Sequence, residues 1–146
     1  PSIRIYYHYP DESGWARQVD DSHAALDNVP ITGGLMRYDI VTFTRHNDDL
    51  PRLAHIIQHF YRWQWSVAYL EEDAGTEPET MQAAYTTLRE TCEAAGCAIE
   101  GAVLGLAIVN APDAVDLRAV LAPLGLTGAA LVLYQPAAPT RTEPGA

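Results

Sequence analysis

Two histidines four residues apart, His55 and His59, stand in the stretch AHIIQHFYRWQWSVAYLEE (54–72), beside Tyr61, Trp63 and Trp65. On a helix this spacing puts both imidazoles on one face, where they could chelate a metal. The glutamate that would complete an HExxH motif is absent, and a third ligand would have to come from His23, His46 or Asp48. On a strand the same two residues share a face but stand ~13 Å apart, too far to hold one ion. The residues after Trp63 alternate as a strand does, with Trp63, Trp65, Val67 and Tyr69 against Gln64, Ser66 and Ala68. The expectation is therefore no metal and no cofactor, with His55 and His59 as structural, surface or binding groups.

Other catalytic constellations are missing. The chain has no GxSxG, no P-loop and no Cys-His spacing of a known kind, and the Gly pair in ITGGL is too little to cradle a phosphate. A catalytic Asp27 or Asp39 would need an elevated pKa, and the turn LDNVP suits local side-chain bonds to backbone N–H groups instead. The aromatic residues could form a core, or could anchor an interface. Acids cluster at 20–21, 48–49, 71–73 and 77–79, either as solvated loop ends or as a rim for a basic partner. The candidate binding residues are Tyr7, Trp15, His55, His59, Tyr61, Trp63, Trp65, Glu71, Glu72 and Asp73.

Composition narrows the partner. Net charge is −10, from 19 acids against 9 bases, and every base is arginine. With abundant Ala, Gly and Pro, this fits a high-GC bacterial coding sequence. So acidic a chain has little to offer a phosphate backbone, which excludes nucleic acid, and it favours a basic protein. Hydrophobic residues make up 48% of the chain, enough for a core. No apolar run reaches membrane-spanning length and the N-terminus lacks a signal-peptide pattern, so no membrane partner and a cytoplasmic location are expected. Cys92 and Cys97 are then reduced thiols.

The elements that position these residues follow from periodicity. Strands are expected at 3–9, 15–19, 23–27 and 38–43, a small barrel-like all-β unit. HNDDLP is a polar break or helix cap. A helix follows TEPE at 76–79, a capping box, with Met81, Tyr85, Leu88 and Cys92 on one face and Gly96 as its stop. Strands near 97–103 and 104–111, a second helix opening after Pro112, and a last strand at 128–135 complete β-α-β-β-α-β. That is the order of a ferredoxin-like sandwich.

The segment GWARQVDDSHAALDNVPITGGLMRYDIVTF resembles the uncharacterised bacterial domain-of-unknown-function 4265 family. Members show a Trp-Ala pair, a Leu-Asp-Asn-Ile/Val-Pro turn and a Gly-Asp-Ile/Val-Val strand. Here these are Trp15-Ala16, Leu26 to Pro30, and Tyr38-Asp39-Ile40-Val41, with Tyr38 departing from the usual glycine. The segment LRETCEAAGCAIEGAVLGLAIVNAPDAVDLRAVLAPLG is similar to the second half of that family. The resemblance implies an N-terminal β unit followed by an α/β sandwich, no known activity, and a hairpin rather than a helix over 53–69.

The expected fold is α+β, a small N-terminal barrel-like β unit (1–52) packed on a ferredoxin-like βαββαβ sandwich (63–136). A connecting strand or hairpin (53–62), with a turn expected near Tyr61-Arg62, follows the β unit, and a loosely held Pro-rich tail (137–146) ends the chain. The expected function is non-enzymatic binding, as an immunity or antitoxin-type partner of a basic protein. A small-molecule-binding regulatory module, an enzyme with a His-containing aromatic cleft, and a homodimer through the sandwich stand beside it.

Overall fold

The computed structural model describes residues 1–70, 77–103 and 105–139. The described residues are mixed α+β, with two sheets and two α-helices. The first sheet contains β1 (Ser2–His8), β2 (Glu12–Gln18), β3 (His23–Leu26), β4 (Ile40–Thr44) and β5 (Arg52–Gln58). They pair antiparallel in sequence order. One parallel pair, Tyr6 with Arg52, joins β1 to β5. Alternation explains the inside of this sheet: Ile5 and Tyr7 from β1, Ala16 from β2, and Val41 and Phe43 from β4 are buried together. Gly14 makes room for Tyr7, because a Cβ there would stand 2.6 Å from the Tyr7 ring.

The second sheet contains β6 (Trp63–Ala68), β7 (Ala98–Gly101), β8 (Leu106–Ala111) and β9 (Leu131–Tyr134). Its order is β7-β8-β6-β9, all antiparallel. The helices are α1 (Pro78–Ala94) and α2 (Leu117–Leu121). Trp65, Val67 and Val109 from the sheet share a core with Leu88 and Cys92 of α1 and with Leu117 and Leu121 of α2. A third buried cluster of Val29, Met36, Tyr61, Ala98 and Ile108 draws on both halves of the chain. No helix among the described residues is long and apolar enough to cross a membrane.

Several expectations need correction. The hairpin near Tyr61-Arg62 does not form: β5 pairs with β4 and β6 with β8 and β9. The reason is that β6 is the inner strand of its sheet, with both edges already taken. HNDDLP caps no helix; it connects β4 to β5, and Asp48 turns there at a φ of +61°. β2 begins at Glu12, earlier than expected, because Ser13 and Gly14 pair with Tyr6 and Ile5. The expected capping box rests on Thr76, outside the described residues. The helix enters at Glu77 and Pro78 without a side-chain cap bond. It stops as expected, with Gly96 at a φ of +86°. The second helix starts at Leu117 rather than after Pro112. Residues Pro112 to Val115 make a turn, and the Asp116 carboxylate accepts the Arg118 N–H at 3.1 Å.

Candidate functional site

The loop between β3 and β4, residues 27–39, lies along the outer face of the second sheet. Trp65 and Val67 of β6 point to the helices, so Gln64 and Ser66 point the other way. Gln64 sits directly across from Asn110 of β8, and both are fully buried. Gln64 accepts the Gly34 N–H at 2.6 Å and donates to the Thr32 carbonyl at 3.1 Å. Asn110 accepts the Arg37 N–H at 2.7 Å. Glu100 of β7 accepts the Val29 N–H at 3.2 Å and the Asn28 amide at 3.3 Å. From the other side, Glu12 accepts the N–H groups of Ile31 and Thr32, each at 2.8 Å. The loop is thus held by side chains from both sheets, which satisfies backbone groups that burial would otherwise leave unpaired.

Asn28 departs from the expected local turn bond. Its carbonyl oxygen accepts the Trp15 N–H at 2.6 Å, thirteen residues away. Tyr7 donates its hydroxyl to the Trp15 carbonyl at 2.6 Å, and burial pushes that phenol well above its usual range.

The loop ends at Asp39, whose side chain is entirely buried. It accepts the Met36 N–H at 2.8 Å and faces His59 Nδ1 at 2.8 Å. His59 Nε2 lies 2.6 Å from the Ala137 carbonyl. Both ring nitrogens therefore face acceptors, and a neutral imidazole alone could serve only one. The pair must hold one extra proton, on His59 or shared with Asp39. The hydrogen bond to Asp39 pushes His59 up from its ordinary value, against desolvation; burial pushes Asp39 up, against the His59 bond. Both directions say that the pair retains its proton. Through this contact, and through the Ala137 N–H on the Gly34 carbonyl at 3.4 Å, Ala137 is tied to His59 and to the loop between β3 and β4. The expected loose tail is fastened at its start; residues 140–146 lie outside the described residues.

Beside this pair is an aromatic cluster. Tyr38 meets Phe60 edge-on at 5.5 Å and stacks on Tyr61 at 6.0 Å, while Phe60 meets Tyr61 at 5.1 Å. Phe60 is 68% exposed and Tyr38 39%, whereas Tyr61 is buried beneath them. A cleft of ≈ 390 Å³ is lined by Tyr38, Ile40, Gln58, His59 and Phe60. Tyr38 has a φ of +66°, a strained conformation for any residue with a side chain.

The structure divides the expected binding residues. Tyr7, Tyr61 and Trp65 are buried core groups. Trp15 is exposed on β2 with the Arg4 guanidinium 5.4 Å over its ring, and His55 is exposed on β5. Trp63 is half-buried, and its indole N–H donates to the Asp113 carbonyl at 3.4 Å. His59 is brought to Tyr61 through Phe60, but His55 does not join it: residue 55 pairs outward with Thr42, whereas residue 59 lies past the end of the strand. Glu71, Glu72 and Asp73 lie outside the described residues. Sequence reasoning missed Tyr38 and Phe60. The signal available for Tyr38 was a large aromatic standing where the resembled family has glycine.

No family model matches the chain, and no curated protein matches it. Among solved structures, the chain is similar to a hypothetical protein from Neisseria gonorrhoeae, at 13% identity over 96% of each chain and a TM-score of 0.53. That likeness concerns the fold alone.

Proposed function

We propose that this chain is a non-enzymatic cytoplasmic binding protein that docks a basic protein, in the manner of an immunity or antitoxin partner. The observation that carries this reading is the Tyr38–Phe60 pair. Phe60 is largely exposed, and its neighbour Tyr38 sits on strained backbone where a glycine would be relaxed. Exposed aromatics on a rigid base are the usual anchors of interfaces. The base here is rigid, because the loop carrying Tyr38 is bonded to both sheets. The net charge of −10 favours a basic partner. An enzyme built on His59 would need a free ring nitrogen, and both are engaged.

The finer description of the fold belongs to the same proposal. The Tyr6–Arg52 pair supports a barrel-like first unit, and the order β7-β8-β6-β9 with helices after β6 and β8 supports a ferredoxin-like sandwich. The positive φ at Tyr38 suits the glycine of the resembled 4265 family, which supports kinship with it. A homodimer through the sandwich would use β9, an edge strand with Val132, Leu133 and Tyr134 exposed.

The test is capture from extracts of the source cells by the wild-type chain and by Phe60→Ala and Tyr38→Gly. A basic protein should be retained by the wild type, less so as salt rises, and about 30-fold more weakly by Phe60→Ala. Tyr38→Gly should lose binding without losing stability. Equal capture by all three chains, or no protein captured, would overturn the reading.

A further inference from the structure

A groove on the helix side of the second sheet plays no part in that reading. It encloses ≈ 350 Å³, the low end of small-ligand sites, between Trp63, Trp65, Asp113, Val115, Arg118 and Leu133. Trp65 is only 4% exposed, and its indole N–H is sealed from solvent with no acceptor among the described residues. Buried donors of that kind are rare in native proteins and call for a partner. The contrast is Trp63, whose N–H is bonded to the Asp113 carbonyl.

The charges in and beside the groove are also unequal in their commitments. Arg62 lies 4.3 Å over the Trp63 ring and is paired with Asp113 at 4.0 Å. Arg118 lies 4.8 Å over the Trp65 ring, and no carboxylate of the described residues stands within ion-pair distance of it. The nearest acid in sequence, Asp116, uses its carboxylate to cap the backbone of α2. Each tryptophan thus already has a guanidinium over its ring, where a ligand cation would otherwise stack. Two carboxylates, Asp113 and Asp116, also line the groove, the first paired with Arg62 and the second capping α2. The donors without an acceptor among the described residues are the Arg118 guanidinium and the Trp65 indole N–H.

We propose that this groove binds a small aromatic carboxylate, with its flat body against Trp63, Val115 and Leu133 and its carboxylate held by Arg118 and the Trp65 N–H. Arg118 is exposed, so its long side chain is the part that swings off the Trp65 ring to admit the ligand. A carboxylate then converts an unpaired buried donor into a charge-assisted bond.

Benzoate is the probe, with benzylamine and benzyl alcohol as the cationic and neutral controls of similar size. The readout is the indole N–H resonance of each of the three tryptophans during titration, with the Trp65 signal identified by its loss in Trp65→Phe. Benzoate should shift the Trp65 resonance saturably and leave that of Trp15 unmoved, since Trp15 stands on the other sheet. Arg118→Gln, a change at an exposed position, should keep the melting temperature and weaken benzoate about tenfold. The proposal fails if Trp65 shows no saturable shift, if benzylamine binds as tightly as benzoate, or if Arg118→Gln leaves the affinity unchanged. Phe60→Ala should not alter benzoate binding, so this test and that of the protein partner succeed or fail separately.

Discussion

At the scale of single residues, His59 is the group whose chemistry can be followed by pH. It is bonded on one side to a fully buried carboxylate and on the other to a backbone carbonyl. Its folded pKa is raised above the ordinary 6.5, first by the Asp39 bond. A raised folded pKa means the fold binds the proton more tightly than the unfolded chain does. The stabilisation is then complete below about 6.5, the unfolded histidine value, and is lost as pH rises through the folded value. Melting temperature should therefore fall as pH is raised from 6 through the neutral range, and His59→Ala should flatten that slope. A slope unchanged in the variant would show that His59 is not its source. Removing the imidazole also leaves the buried Asp39 carboxylate with backbone donors alone, at a cost of about 3–5 kcal/mol. The Asp39–His59 pair was half legible beforehand: each residue was noticed, but their meeting was not, because twenty positions and a strand reversal separate them.

At the scale of elements, alternation carried most of the prediction. The first four strands, β6 and the long helix with its Gly96 stop lie within a few residues of where periodicity and turn chemistry place them, whereas β5 joins the first sheet unexpectedly. The local rules failed where an element's neighbours decide the outcome. The segment carrying β5 and β6 has the pattern of a hairpin, yet each strand found a different sheet. The Gly14–Tyr7 contact is another such decision. Gly14 reads as a turn residue after Pro10 and Asp11, but it lies inside β2, under a buried ring. Gly14→Ala should destabilise by about 1–3 kcal/mol, the usual range for an overpacked core, because Tyr7 cannot yield without losing its bond to Trp15. Chemical denaturation checks this, and a shift of less than about 0.5 kcal/mol would mean that the ring has room to move.

At the scale of the whole molecule, the two halves are joined by a seam that is polar as well as apolar. Val29, Met36, Tyr61, Ala98 and Ile108 supply buried surface, while Gln64, Asn110 and Glu100 bind the backbone of the 28–37 loop. Gln64→Ala leaves the buried Gly34 N–H without its partner and the Thr32 carbonyl with only the Leu35 N–H at 3.4 Å, a loss of about 1–3 kcal/mol. The expected result is faster amide exchange through residues 32–37 and a less cooperative unfolding transition. Unaltered exchange in that loop would mean that Glu12 and Asn110 hold it without help.

The sequence by itself determined the class of the fold, the order of its elements and the faces their side chains share, because a period of two or of 3.6 is written in neighbouring residues. It also determined the charge, and with it the kind of partner to propose. What covers each face was decided only in three dimensions. Gln64, Asn110 and Glu100 alternate with apolar residues as solvent-facing groups do, yet they are closed off by a loop from the other half of the chain. Trp63 and Trp65 share one face of β6, yet among the described residues one has a partner for its N–H and the other does not. Periodicity tells which side chains point together, whereas burial and pairing depend on segments far away in the chain.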